Sequence, residues 1–259
     1  MTAAPATTLP GTAVRTTGVG SFHVRMAWAC AAVGVIGFTP SYWLPLLTGT
    51  IVVPAIVHLH AAVFYGWLAL VVTQSHLIAS RRLTRHRELG VLGVAIATAM
   101  VFVGMAAAIG SMKQGVAAGF GEQARAFSVV PVTSILFFAA VVGVALLNVR
   151  RPEVHRRLML IATVSILNAA VGRLFRLAIG APPVSTTVAP PPVVFTLMPG
   201  LLTDLLLVPA LIHDKVRLGR IHRTYWIGGA ALLASQLLRP VIGNSDAWQA
   251  FAGWLMRLV

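Results

Sequence analysis

Residues 58–90, HLHAAVFYGWLALVVTQSHLIASRRLTRHRELG, decide the fold. A long apolar run ends in a short basic link, and the next apolar run opens on His-Arg. The phrase that closes the stretch is an arginine, four residues, then His-Arg, running from Arg81 to His86-Arg87. It returns from Arg150 to His155-Arg156 and from Arg217 to His222-Arg223, at nearly equal intervals. Self-similarity on this scale marks a structural unit used three times. Each unit is an apolar segment, a basic link and a second apolar segment.

Composition places those units in a membrane. A chain of 259 residues that is 58% hydrophobic and only 10% charged cannot bury so much apolar surface inside a soluble domain, and its mean hydropathy is +0.86. The formal charge of +14 sits mostly in the short links rather than on one face, so it reads as a topology signal and argues against a nucleic-acid partner. The single cysteine, Cys30, excludes an intrachain disulfide and a cysteine-based zinc site. Residues 1–22, rich in Thr, Ala, Pro and Gly at their start, lack the apolar core of a signal peptide and read as a disordered cytoplasmic tail.

Seven segments are long enough to cross a hydrocarbon core of roughly 30 Å: 25–43, 51–80, 89–112, 128–149, 157–180, 193–212 and 224–242. The expected fold is therefore an all-α integral membrane bundle of seven transmembrane helices within residues 23–243, three related hairpins plus a leading helix. Basic residues crowd the links after the second, fourth and sixth segments, while the opposite links hold little more than Lys113, Glu122 and Arg125. This asymmetry puts the basic links and the N-terminus in the cytoplasm and the C-terminus outside a bacterial inner membrane. Residues 244–259 are too short to span. As a helix capped by Ser245 or Asp246 they place Trp248, Phe251, Leu255 and Leu258 on one face, as an amphipathic helix lying in the outer interface does.

The repeated histidines gain a location from this topology. His86, His155 and His222 open helices at the cytoplasmic edge, and His76 and His213 close the helices before two of those links. Two imidazoles on facing helices can hold a haem iron from both sides, and neighbouring arginines suit its propionates. The plainer reading is that these residues mark the interface, snorkel and bond loop carbonyls.

The stretch 58–90 and "RRPEVHRRLMLIATVSILNAAVGR", residues 150–173, resemble a widespread group of bacterial inner-membrane proteins. That resemblance covers most of the chain from the second helix onward. The phrases "HR.LG" and "HRRLML" are also similar to small helical membrane families linked to b-type haem, including cytochrome-b-like electron carriers and haem-copper oxidase assembly factors; this second likeness is short. It implies His86 and His155 as leading ligands of haem b, and a membrane redox partner. A two-haem carrier would need histidines from two helices near the outer face, and only the second helix offers them, so the resemblance supports at most one haem.

Those outer histidines, His58 and His60, form a His-x-His pair that suggests copper. On a regular helix, however, their side chains diverge by about 200°, so one ion cannot receive both. Charges also fall within the apolar segments: Arg173 and Arg176 on the fifth, Asp204 on the sixth and Arg239 on the seventh. Each costs roughly 2.5 to 3.5 kcal/mol at a bilayer centre, so such residues usually pair or line a cavity. Asp204 can neutralise one arginine, and the surplus suits an anionic ligand; helix anchoring is the alternative. No hydrolase, phosphate-loop or dinucleotide motif occurs. Three functions stay open: one haem in electron transfer or respiratory-complex assembly, a small permease or sensor with an outer anion site, and a cofactor-free structural or assembly protein.

Overall fold

The computed structural model describes residues 17–181 and 189–258, so most of the expected N-terminal tail and part of the Pro-rich link lie outside the described residues. The described chain is helical, with no strand. Helix α1 (Thr17–Phe38) starts inside the stretch read as a tail and passes through a π-turn (Thr39–Trp43) into the short α2 (Leu44–Leu47). Pro40 and Pro45 lie at the starts of these two pieces, where the missing N–H interrupts the regular ladder. Next come α3 (Ala55–Ala79) and α4 (Leu83–Ala117), the short α5 (Gly121–Phe127) and α6 (Val129–Leu147), then α7 (Pro152–Ser165) and α8 (Asn168–Ala178). Finally α9 (Leu197–Asp204) and α10 (Val208–Leu218) are joined by a 3-10 turn, followed by α11 (Arg223–Gly243) and α12 (Asp246–Leu255).

Five stretches are long and apolar enough to cross a membrane: Ser21–Leu47, Ala55–Ala79, Leu83–Ala117, Gly121–Leu147 and Val193–Leu218. The pair α7 and α8, bent by 41° at residues 166–167, makes a sixth if it counts as one span. The remaining segment expected to cross, α11, is 21 residues long, which is about 31 Å of helix. It is more polar than the five, because Gln236, Arg239 and Pro240 interrupt it.

The helices pack around one large core in which Trp67, Met100, Phe138, Ile161, Val164 and Leu232 are almost fully enclosed. Leu92, Phe102, Val144, Leu205, Ile227 and Val241 point outward, so apolar residues occupy the exterior as well as the core. That inside-and-outside apolarity is what a lipid-facing bundle requires. In the first two repeats the paired helices, α3 with α4 and α6 with α7, lie against each other. In the third, Gly219 turns the chain in the left-handed region (φ +69°) and α11 packs on α6, α7 and α9 instead.

The three basic links share one end of the bundle, called here the basic end. At the opposite end α12 is capped by the Ser245 hydroxyl, which accepts from Trp248 N, as the sequence suggests. Its faces divide differently from the expectation. Ala252 and Leu255 are buried with Trp248 beside them, whereas Phe251, Trp254 and Leu258 are exposed. Gln249 is tied to α5 by Arg125 Nε at 2.8 Å and to the Glu122 carbonyl. Trp248 Nε1 donates to the Arg125 carbonyl at 3.0 Å. Polar anchors to α5 therefore set the helix's rotation, and part of its apolar surface faces outward.

Candidate functional site

Hydrogen-bond partners separate the five histidines expected at the basic end by which ring nitrogen stays available, and the structure adds a sixth, His23, whose ring lies 6.1 Å from that of His213. Gln74 Nε2 donates to the His86 carbonyl at 3.2 Å, which leaves the Gln74 carbonyl oxygen to accept from His86 Nδ1–H at 2.7 Å. His155 Nδ1–H likewise donates to the Ala145 carbonyl at 2.8 Å. Both imidazoles thus carry their proton on Nδ1 and keep a lone pair on Nε2, and they lie within electrostatic reach of each other. An Nδ1–H held by an oxygen is the outer-shell arrangement that orients ligating histidines.

Of the other three, two have their ring lone pair already engaged. His76 Nε2 accepts from Trp28 Nε1 at 3.1 Å. His222 caps α11, its Nδ1 accepting from Thr224 N at 3.2 Å, so its proton is on Nε2. The His213 ring is stacked beneath Phe22, with centroids 4.0 Å apart, and its Nε2 is buried without a hydrogen-bond partner among the described residues.

Arg157 lies where the second basic link meets the fifth apolar segment. Arg157 is 1% exposed. Its Nε and Nη2 grip both oxygens of Asp214 at 2.8 and 2.6 Å, its Nη1 reaches Glu153 at 2.6 Å, and its guanidinium sits 5.7 Å from the Tyr225 ring centroid. Asp214 also accepts from His222 N at 3.3 Å. One buried fork therefore fastens α7, α10 and the start of α11 together. The i,i+4 spacing of Glu153 and Arg157 was the only local sign of it, since Asp214 is distant in sequence.

His222 lies outside the apolar spans, and burial with the nearby Arg157 guanidinium holds its imidazole below the ordinary 6.5. Its neutral form is thus favoured by folding. The stabilisation is complete above pH 6.5 and is lost as pH falls through that value toward the depressed one, where the unfolded chain binds the proton first. We expect the thermal midpoint in detergent to fall more steeply between pH 7 and pH 5.5 in the native chain than in His222→Ser, which keeps a capping oxygen without the titration. Parallel curves would show that the cap does not titrate with folding.

At the opposite end the charges form two separate groups. Asp204 accepts from Gln236 Nε2 at 3.1 Å and, among the described residues, has no arginine within salt-bridge distance. Arg239, 2% exposed, donates to the hydroxyls of Thr133 and Ser134 on α6 at 3.0 and 2.9 Å. Arg173 on α8 donates to Ser41 and the Ala169 carbonyl, and Arg176 is half-buried one turn further on. Asp204 and Arg239 stay within electrostatic reach of each other, while Arg173, with Arg176 beside it, bonds Ser41 and the Ala169 carbonyl, so hydroxyls and amide groups supply most of the direct contacts of these charges. His58 bonds Tyr42 at 2.8 Å and His60 stacks on Phe64, so the two imidazoles take different neighbours.

Among the described residues no three histidine, cysteine or carboxylate side chains gather as a metal site. Comparison with protein-family models, with curated proteins and with solved structures found no match.

Proposed function

We propose that this chain is a seven-span protein of the bacterial inner membrane, with α11 as the seventh crossing, that carries one b-type haem at its cytoplasmic, basic end in electron transfer or respiratory-complex assembly. The supporting observation is the shared tautomer of His86 and His155, each with Nδ1–H fixed by an oxygen and Nε2 left to ligate. Bound there, haem supplies one-electron redox chemistry to a membrane partner. The protein's own part is to aim two neutral imidazoles and to offer the exposed Arg82, Arg85 and Arg87 beside His86 to the propionates. The crowding of basic residues in these links supports a cytoplasmic basic end and a C-terminus outside.

The absorption spectrum tests the reading. The purified protein should show a Soret band that shifts on reduction, and His86→Ala or His155→Ala should abolish it while the protein accumulates. His76→Ala and His222→Ala should keep it, because the lone pair of each ring already accepts another hydrogen bond. A colourless native protein from haem-replete cells sinks the proposal. Reporter fusions after Arg85, Glu153 and Gly219 should all report cytoplasm, and one periplasmic result would break the topology.

A further inference from the structure

Within the apolar stretch Val193–Leu218 one polar contact is half complete. The Gln236 side chain of α11 is 3% exposed, and its Nε2 donates to Asp204 Oδ1 of α9 at 3.1 Å. Its other end, Oε1, is buried without a hydrogen-bond partner among the described residues. That oxygen lies against Gly200, where an added Cβ would stand 2.9 Å from it. Gly200 precedes Asp204 by one turn on the same face of α9, and helix side chains lean toward the N-terminus, so the amide oxygen and the Asp204 carboxyl share one place. The neighbouring donors are engaged. Thr203 Oγ1 donates to the Pro199 carbonyl and Ser235 Oγ to the Leu232 carbonyl, each at 2.7 Å, while Arg239 donates to Thr133 and Ser134. A buried amide oxygen left unbonded is costly, and so is an ionised carboxylate beside Leu201 and Leu205, which point outward.

One added proton relieves both. We infer that Asp204 is a proton-binding site: at neutral pH its Oδ2 carries a proton and donates it to Gln236 Oε1, while Gln236 Nε2–H donates to Oδ1, closing a ring of two hydrogen bonds between a carboxylic acid and an amide. The two groups match because each is planar and offers one donor beside one acceptor. An apolar setting keeps such a carboxyl neutral so that it can donate. Helix α9 packs on α7, α8 and α11, and among the described residues Arg239 of α11 is the one charge within electrostatic reach of Asp204. Its guanidinium favours the carboxylate, yet two hydroxyls of α6 hold it. Losing the proton leaves Oδ2 and Oε1 as acceptors side by side, so proton release weakens the contact between α9 and α11. The site does not depend on haem.

The test uses the full chain in detergent at pH 7, in potassium buffer free of sodium, read by infrared difference spectroscopy. The native protein should show the carbonyl stretch of a protonated carboxyl, moved to lower frequency in heavy water and lost in Asp204→Asn. Gln236→Leu should keep that band and move it to higher frequency, because it frees the carboxyl of both hydrogen bonds. If Asp204→Asn does not accumulate, the native protein against Gln236→Leu decides alone. Exchanging potassium for sodium should change nothing. The inference is overturned if no protonated-carboxyl band is present at pH 7, if Gln236→Leu leaves the band in place, or if sodium removes it, which would make this a site for a metal cation.

Discussion

Asp214→Asn should be among the most damaging single substitutions in this protein. It leaves the Arg157 guanidinium, 1% exposed, with Glu153 as its only anionic partner, and Glu153 is 53% exposed. Removing one member of a buried ion pair costs about 3–5 kcal/mol, because the remaining charge stays desolvated. The surviving Glu153 contact argues for the lower part of that range. Glu153→Gln should cost less than about 1 kcal/mol, since water already screens that side chain. The double change Asp214→Leu with Arg157→Met removes both charges at similar volume and should recover most of the loss. Equilibrium unfolding in detergent measures all three. A larger loss from Glu153→Gln than from Asp214→Asn would mean that the exposed carboxylate is the real partner.

Trp67→Ala should cost a similar amount for a different reason. Trp67 is 1% exposed, meets Phe138 edge-to-face with centroids 5.0 Å apart and donates to Thr163 Oγ1 at 3.3 Å, so one side chain joins α3, α6 and α7. Emptying that volume costs about 3–5 kcal/mol through lost contacts and the cavity left behind. Trp67→Phe keeps much of the volume and loses the indole N–H, so about 1–2 kcal/mol is expected. Equal losses from the two substitutions would show that the indole fills no essential space.

What the sequence disclosed was local. The apolar runs located five helices long and apolar enough to cross a membrane and the bent pair, the His-Arg phrases fell at helix starts, and Ser245 caps α12. What it hid was long-range. Arg157 looks like any link arginine until Asp214, 57 positions away, is brought against it. Arg239 invites a carboxylate partner, yet Thr133 and Ser134 hold it from more than a hundred positions away, and hydroxyl pairs of that kind leave no spacing pattern to read. The choice among the histidines was hidden for the same reason. Residue type says that an imidazole is present, but only its neighbours decide which nitrogen keeps a lone pair.

The 41° break between α7 and α8 separates two neighbourhoods that a straight helix would have joined rigidly. Arg157 and His155 ride on α7, whereas Arg173 rides on α8. A continuous helix behaves as a rod, so a twist applied at one end turns the other. Here the axis turns at residues 166–167, where Leu167 is buried in the core, so the two halves run in different directions. Each half can therefore be held by its own neighbours, and a side chain at one end can shift without dragging the other out of register.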